Sequence, residues 1–488
     1  MNCGKNIRKV IAMAVCFLGI GTFWTAAASK PVMVHYMPWF VAKPFNTNWG
    51  WHWTMNHFNP DLIDGSGNRQ IASWYYPLIG PYDSADPVVL EYHVLLMKLA
   101  GIDGVIVDWY GIDNYADYGN NNQRTAALLK LTQRAGLKFS LCYEDRTIQQ
   151  EISGGFINSA SAIAHAQQTM LYAQTNYFND PSYLRRNNQP VLLNFGPQYF
   201  TTNGQWTTIF SVLAATNQPS FFTEDNRAAG AAGAFDWPPM YLSQSSGGVL
   251  TISALNNYLT SFEQSGKFWP AYISSAFPRF HDIYAQAGVG ASNGTLDDNN
   301  GITFQSTLRR AFTNNSAIVQ IVTWNDFGEG TIVEPTQQYG YRDLGVIQDL
   351  RRQYLDPAYS GQTNDLILAT RLYNLRRQYA TNSMLIAELD RVFTNIVNGN
   401  LSAAALQLTG VESSQPAIYD LASSNGIFQF SIGGFVASSG AQVQTTSNLA
   451  MPLWGTVFSF PGGTNLMRFS TPIQTQGLPA FFKVQTTP

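Results

Sequence analysis

The sequence predicts an α/β chain built on a (β/α)8 TIM barrel, with a short helical extension and a small C-terminal β-rich module. Three observations predict it. Short β-branched runs alternate with amphipathic helical stretches from Pro31 to about Tyr359, the pattern of a parallel sheet with crossover helices. Eight such runs can be counted, which is the barrel number. Several of them stop abruptly in acidic, amide and aromatic residues, at the strand ends where barrel enzymes carry their chemistry.

The segments follow in order. In residues 1–28, Lys5, Arg8 and Lys9 precede the apolar run Val10–Trp24, and Ala26-Ala27-Ala28 supplies small residues. That order predicts a cleaved signal peptide and a secreted or periplasmic protein. The run falls short of the roughly 20 residues of a spanning helix, so no transmembrane segment is expected in the mature chain. Residues 31–360 are the expected barrel. Its strands are expected at Val32–Met37, Gly104–Trp109, Leu137–Glu144, Pro190–Phe195, Pro219–Thr223, Gly233–Trp237, Phe268–Ser275 and Ala317–Trp324. One unit shows the reasoning. Asp86 can cap a helix that starts at Pro87. Val88, Tyr92, Leu95, Leu96 and Leu99 form its apolar stripe, and Gly101 suits the left-handed residue past its end. The strand Val105-Ile106-Val107 then runs into Asp108-Trp109-Tyr110. Residues 361–408 are expected as a helical extension, read as one helix from Asp365 to Asn398. From 409 to 488 the chain turns rich in Ser, Thr, Gly and Phe, with alternating runs such as Gly426–Ile432 and Ala480–Val484, a β-rich texture.

Composition narrows the function. The formal net charge is −3 and charged residues are 12% of the chain, which argues against a nucleic-acid partner needing clustered cations. Aromatics at 14% suit a surface that stacks on sugar rings, and suit a large core equally well. Cys3 and Cys16 lie in the expected signal, leaving Cys142, expected as a buried core residue. No Cys/His cluster has zinc spacing, and Asp297-Asp298-Asn299-Asn300-Gly301 reads as a polar turn, so neither metal nor cofactor is expected.

Glycoside hydrolysis uses two carboxyl groups, one on each side of the scissile bond. Asp326 and Glu329 are candidates, in the loop after the eighth strand, and Glu144 ends the third. The block Trp324-Asn325-Asp326-Phe327-Gly328-Glu329 resembles the Trp-Asn-Asp-Tyr-Gly-Glu signature of glycoside hydrolase family 71, the α-1,3-glucanases. Its continuation Gly330-Thr331-Ile332-Val333-Glu334-Pro335 resembles family 99, the endo-α-mannosidases. So do His35-Tyr36-Met37-Pro38-Trp39, the stretch from Tyr76 to Ser84, and Asp108-Trp109-Tyr110. The resemblance implies an endo-acting α-glycosidase cleaving α-mannan or α-1,3-glucan, with Glu329 as general acid and Asp326 as the base-like partner. It also implies sugar contacts from Tyr36, Trp109 and Glu144. Family 99 has Glu at the position of Asp326 and Trp-His at Phe327-Gly328; family 71 inverts and family 99 retains anomeric configuration. Strand ends and the matched blocks add Trp39, Asp108, Asn194, Trp324 and Asn325 as substrate-binding candidates, with His52 and His57 from the Trp-rich loop after the first strand. Arg279 is expected in a structural ion pair, with His281 beside it. The alternatives are a non-catalytic carbohydrate-binding protein on the same fold and a protein of polysaccharide biosynthesis.

Overall fold

A computed structural model describes residues 30–412, 417–424, 427–433, 440–447, 453–460, 467–472 and 480–487. The expected signal peptide lies outside the described residues. Eight parallel strands close a barrel: β1 (Val32–Tyr36), β2 (Gly104–Trp109), β3 (Lys138–Tyr143), β4 (Gln189–Asn194), β5 (Ser220–Glu224), β6 (Gly233–Phe235), β7 (Ile273–Ala276) and β8 (Ile318–Ile321). β1 lies between β2 and β8, in register Val34↔Val105 and Val34↔Ile321. Neighbour follows neighbour round the ring, with β3 and β4 in register Leu141↔Leu192. The weakest seam is β6–β7, joined by the single pair Phe235↔Ile273. The (β/α)8 class expected from the alternation is therefore the observed one.

Strand parity separates two cores. Val34, Val105, Val107, Leu141 and Leu192 face outward and pack with the surrounding helices, in one buried cluster. Met33, Ile106, Cys142, Leu193, Phe222 and Phe235 alternate with them and fill the barrel interior, in another. Successive strand residues point to opposite faces, so these sets cannot mix. Cys142 is buried and unpaired, as expected.

The helix Pro87–Ala100 forms as its sequence dictates. The Asp86 carboxylate accepts from the Val88 amide at 2.9 Å, and Gly101 ends the helix at φ 77°. The seventh strand is shorter than expected. Phe268 is 87% exposed on the turn before it, and Pro270 has no N–H for a ladder, so pairing starts only at Ile273. β8 likewise ends at Ile321, and residues to Trp324 belong to the following loop. The single helix expected from Asp365 to Asn398 is broken, into Ile367–Gln378 and Ser383–Val397. A third helix, Leu401–Glu412, runs past the position where β texture was expected to begin. Arg376 anchors this extension to the barrel by pairing Glu91 at 2.9 and 3.0 Å. Beyond it, two three-stranded antiparallel sheets share a small core of Phe430, Val443, Phe460 and Phe469. Among the described residues, no helix is long and apolar enough to cross a membrane.

Candidate active site

A cavity of about 240 Å³ opens at the C-terminal ends of the strands. β1 and the loop after it contribute His35, Met37, Trp39, Trp51, His52 and Met55. β2 contributes Asp108, and Tyr110 follows it; Glu144 follows β3 and Phe195 follows β4. Trp237, Tyr284, Asp326, Gly328 and Glu329 complete the wall from the loops after β6, β7 and β8.

Four carboxyl groups therefore face one small space. Asp326 sits on a tight loop whose geometry is fixed by bonds between main-chain amides and side-chain oxygens. Its amide donates to Thr323 Oγ1 at 2.8 Å, and its Oδ1 accepts from the Glu329 amide at 3.0 Å. The loop is pinned from outside as well, by the His281 amide donating to the Glu329 carbonyl at 2.8 Å and the Ile283 amide to that of Gly328 at 3.0 Å. Gly330 turns the chain at φ 69°, where an added Cβ would lie 2.7 Å from Tyr75 Cε2. Burial pushes the Asp326 carboxyl up to about 6, opposed by bonds from the Glu329 and Gly328 amides. Glu329 is pushed well above the usual range, first by burial and then by the charges of Asp326 and Asp282. Tyr284 reaches it with its hydroxyl, 3.4 Å from Oε1. Glu144 is raised to about 7, again mainly by burial, with Arg146 working against the rise. Asp108 is raised strongly by burial and by Glu144. His35 and His52 are driven the other way by burial, to about 4 and about 3, so both are neutral near pH 7. His52 stacks flat on Trp39, with ring centroids 4.1 Å apart.

Of the expected site residues, the structure brings together Trp39, Asp108, Glu144, Asp326 and Glu329. His52 joins them, and the remaining expected contacts do not line the cavity. Tyr36 and Trp109 are fully buried and point outward, their strand neighbours His35 and Asp108 inward; one step along a strand reverses the face. Tyr36 instead bonds His93 Nδ1 at 3.0 Å, and Trp109 Nε1 donates to Asn122 at 3.0 Å. Asn194 donates to the Tyr143 carbonyl at 2.7 Å, between strands. Trp324 packs edge-on against His93 behind the loop. Asn325 is a brace: it accepts from the Met37 amide at 2.8 Å and donates to the Met37 carbonyl at 3.0 Å and to Tyr82 at 3.1 Å. His57 is exposed beside Phe58, away from the cavity. His52, from the same loop, is the one that lines it. Arg279 forms the expected buried ion pair, with Asp343, and Asp298 pairs Arg342 from the polar turn at 2.7 Å.

The Tyr76–Ser84 block braces the site from behind. Tyr82 donates to Glu334 Oε2 at 2.7 Å, and Glu334 Oε1 lies 3.2 Å from His93 Nε2. Asp83 and Ser84 accept from the Ala42 and Phe40 amides, at 3.1 and 3.2 Å, shaping the loop that carries Trp39. His35 and Tyr110 stand in the blocks that resemble family 99 but are not among the expected site residues, although strand parity marks both as inward. Trp237 lies in a loop and Tyr284 opens the four-residue helix Tyr284–Ala287, segments too short for periodicity to identify either.

The profile of glycosyl hydrolase family 99 matches residues 28–365. The glycoprotein endo-alpha-1,2-mannosidase-like protein of Danio rerio is 21% identical, over 62% of this chain and 70% of its own length. The glycoprotein endo-alpha-1,2-mannosidase-like protein of Mus musculus is 24% identical, over 54% of this chain and 58% of its own. Among solved structures, the GH99 endo-alpha-mannosidase from Bacteroides thetaiotaomicron superposes with a TM-score of 0.50 at 19% identity, covering 66% of this chain and 97% of that one. That likeness is one of fold, and it matches the barrel. The family match spans the whole barrel and the carboxylate cavity at its mouth, and from it we conclude that this protein is a glycoside hydrolase and that the chain belongs to glycosyl hydrolase family 99.

Proposed function

We propose that the protein is an endo-acting α-mannosidase that uses Glu329 as general acid and Asp326 as its ionised partner. The observation that carries this reading is the pair of unequal carboxyls on one pinned loop. Asp326 has the lower pKa because two amides donate to it, and Glu329 holds its proton because burial and the Asp326 charge disfavour its anion. Glu329 would then protonate the leaving oxygen while Asp326 assists attack at the anomeric carbon. Glu144 and Asp108 would accept from sugar hydroxyls, and the flat Trp39–His52 stack offers an apolar face to a ring. Mannan is favoured over α-1,3-glucan by the named relatives, which are endo-alpha-mannosidases or mannosidase-like proteins. The N-terminal basic, apolar and small-residue order favours an exported protein.

The test is product chromatography on α-mannans and α-1,3-glucans with three proteins. Wild type should release oligosaccharides from mannan. Glu329→Gln should lose about 100- to 10,000-fold on the natural glycan while still hydrolysing a glycosyl fluoride, whose leaving group needs no proton. Asp326→Asn should fail on both. Near wild-type cleavage of the natural glycan by Glu329→Gln would transfer the acid role to Glu144.

A further inference from the structure

Beside the cavity wall, three segments far apart in sequence bring Asp113, Glu151 and His165 together. Asp113 lies in the loop after β2, Glu151 on the helix Arg146–Ser153 after β3, and His165 on the helix Ala162–Ala173. A carboxylate oxygen from each acid and a ring nitrogen of His165 all lie within 4.8 Å of one another. His165 Nε2 is 2.7 Å from Asp113 Oδ2 and 3.5 Å from Glu151 Oε2. Glu151 is 1% exposed, and its Oε2, directed at the imidazole, takes part in no hydrogen bond among the described residues. No Lys or Arg pairs with either acid among the described residues. Burial and the neighbouring Asp113 push the Glu151 carboxyl up to about 8, so two acids this close are balanced either by a proton held between them or by a bound cation that displaces it.

We propose that Asp113, Glu151 and His165 form a binding site for a divalent transition-metal ion of the Zn²⁺ class. Imidazole nitrogen and carboxylate oxygen bind zinc at about 2.0–2.2 Å, and tetrahedral bonds of that length set ligand atoms roughly 3.4 Å apart. The Glu151–His165 separation already matches, and Asp113 needs only to open from its hydrogen bond. Asp113 and His165 are each 16% exposed, which leaves a path for the ion and for a water as fourth ligand. The bound ion would tie the β2 loop, adjoining Asp108 and Tyr110, to the helix that follows Glu144. Sequence spacing concealed the site because its ligands come from three separate elements. A second convergence, His35, Asp108 and Cys142, lies at the cavity floor and serves as the competing location.

The experiment is native mass spectrometry and calorimetric titration of the full chain, dialysed against a chelator, with Zn²⁺ as the only probe. One ion per chain and a raised Tm are expected. His165→Gln and Asp113→Asn should each bind at least tenfold more weakly while keeping the wild-type circular dichroism; Asp113 is partly exposed, so its variant is the safer for folding. Cys142→Ser should bind as wild type does. Absence of stoichiometric Zn²⁺ binding, undiminished binding in both site variants, or a loss that follows Cys142→Ser would each overturn the proposal. The readout is independent of glycan cleavage and of the function proposed above.

Discussion

Replacing Tyr82 by Phe removes one oxygen from the brace behind the acid loop and leaves the ring in place. The Tyr82 hydroxyl donates to Glu334 Oε2 at 2.7 Å and accepts from Asn325 Nδ2 at 3.1 Å. Tyr82, Glu334 and Asn325 are all buried, so water cannot replace either bond. A hydrogen bond to a charged group contributes about 1.5–3 kcal/mol and a neutral one about 0.5–1.5. The ring contacts with Phe40, Trp53 and His93 survive, so no cavity penalty is added. The expected loss is therefore about 2–4 kcal/mol, read as a lowered urea midpoint by tryptophan fluorescence near pH 7. Asn325 keeps both bonds to Met37, so the loop should loosen rather than collapse. Glycan cleavage should then slow with little change in KM. A stability change under about 0.5 kcal/mol would refute the reasoning, because it would mean Glu334 is satisfied without Tyr82.

Other consequences are as direct. The Glu144 carboxyl is raised to about 7 in the fold, so its stabilising share is complete below its unfolded value and is lost as pH rises through about 7. Glu144→Gln should accordingly gain stability relative to wild type between pH 5 and pH 8, by about 2–3 kcal/mol, measured as the difference in urea unfolding at the two pH values. The rate of glycan cleavage should rise with pH through about 6 as Asp326 ionises and fall again where Glu329 loses its proton, a bell whose limbs belong to the coupled carboxyls together. Gly330→Ala puts a side chain at φ 69° and against Tyr75 and the His281 carbonyl. It should destabilise by at least about 1 kcal/mol and slow turnover by moving Glu329; unchanged thermal unfolding and kinetics would show the loop to be freer than its bonds imply.

The sequence carried the barrel because its signals are local. Asp86, Pro87 and Gly101 bound one helix by cap chemistry alone, and the aliphatic triplets of β2 and β4 need no distant partner to read as strands. It also carried the two catalytic candidates, because Asp326 and Glu329 lie in one contiguous block and the chemistry of glycosidic cleavage asks for such a pair. Element boundaries depart from the pattern in four places: Pro270 delays β7, β8 stops at Ile321, a break after Gln378 divides a helix that apolar spacing made continuous, and the helix Leu401–Glu412 runs on past residue 409.

What the sequence determined by itself was the alternation of elements, the polar ends of the strands and the acid pair on one loop. The tertiary structure decided which side of the barrel wall each aromatic occupies. Tyr36 and Trp109 lie one position from His35 and Asp108, and the alternation of a strand turns the first two into outer packing and the second two into cavity wall. It also decided the protonation of the site. No single segment raises the carboxyls of Asp108, Glu144, Asp326 and Glu329; their pKa values shift because closing the barrel removes water from all four and places their charges within reach of one another.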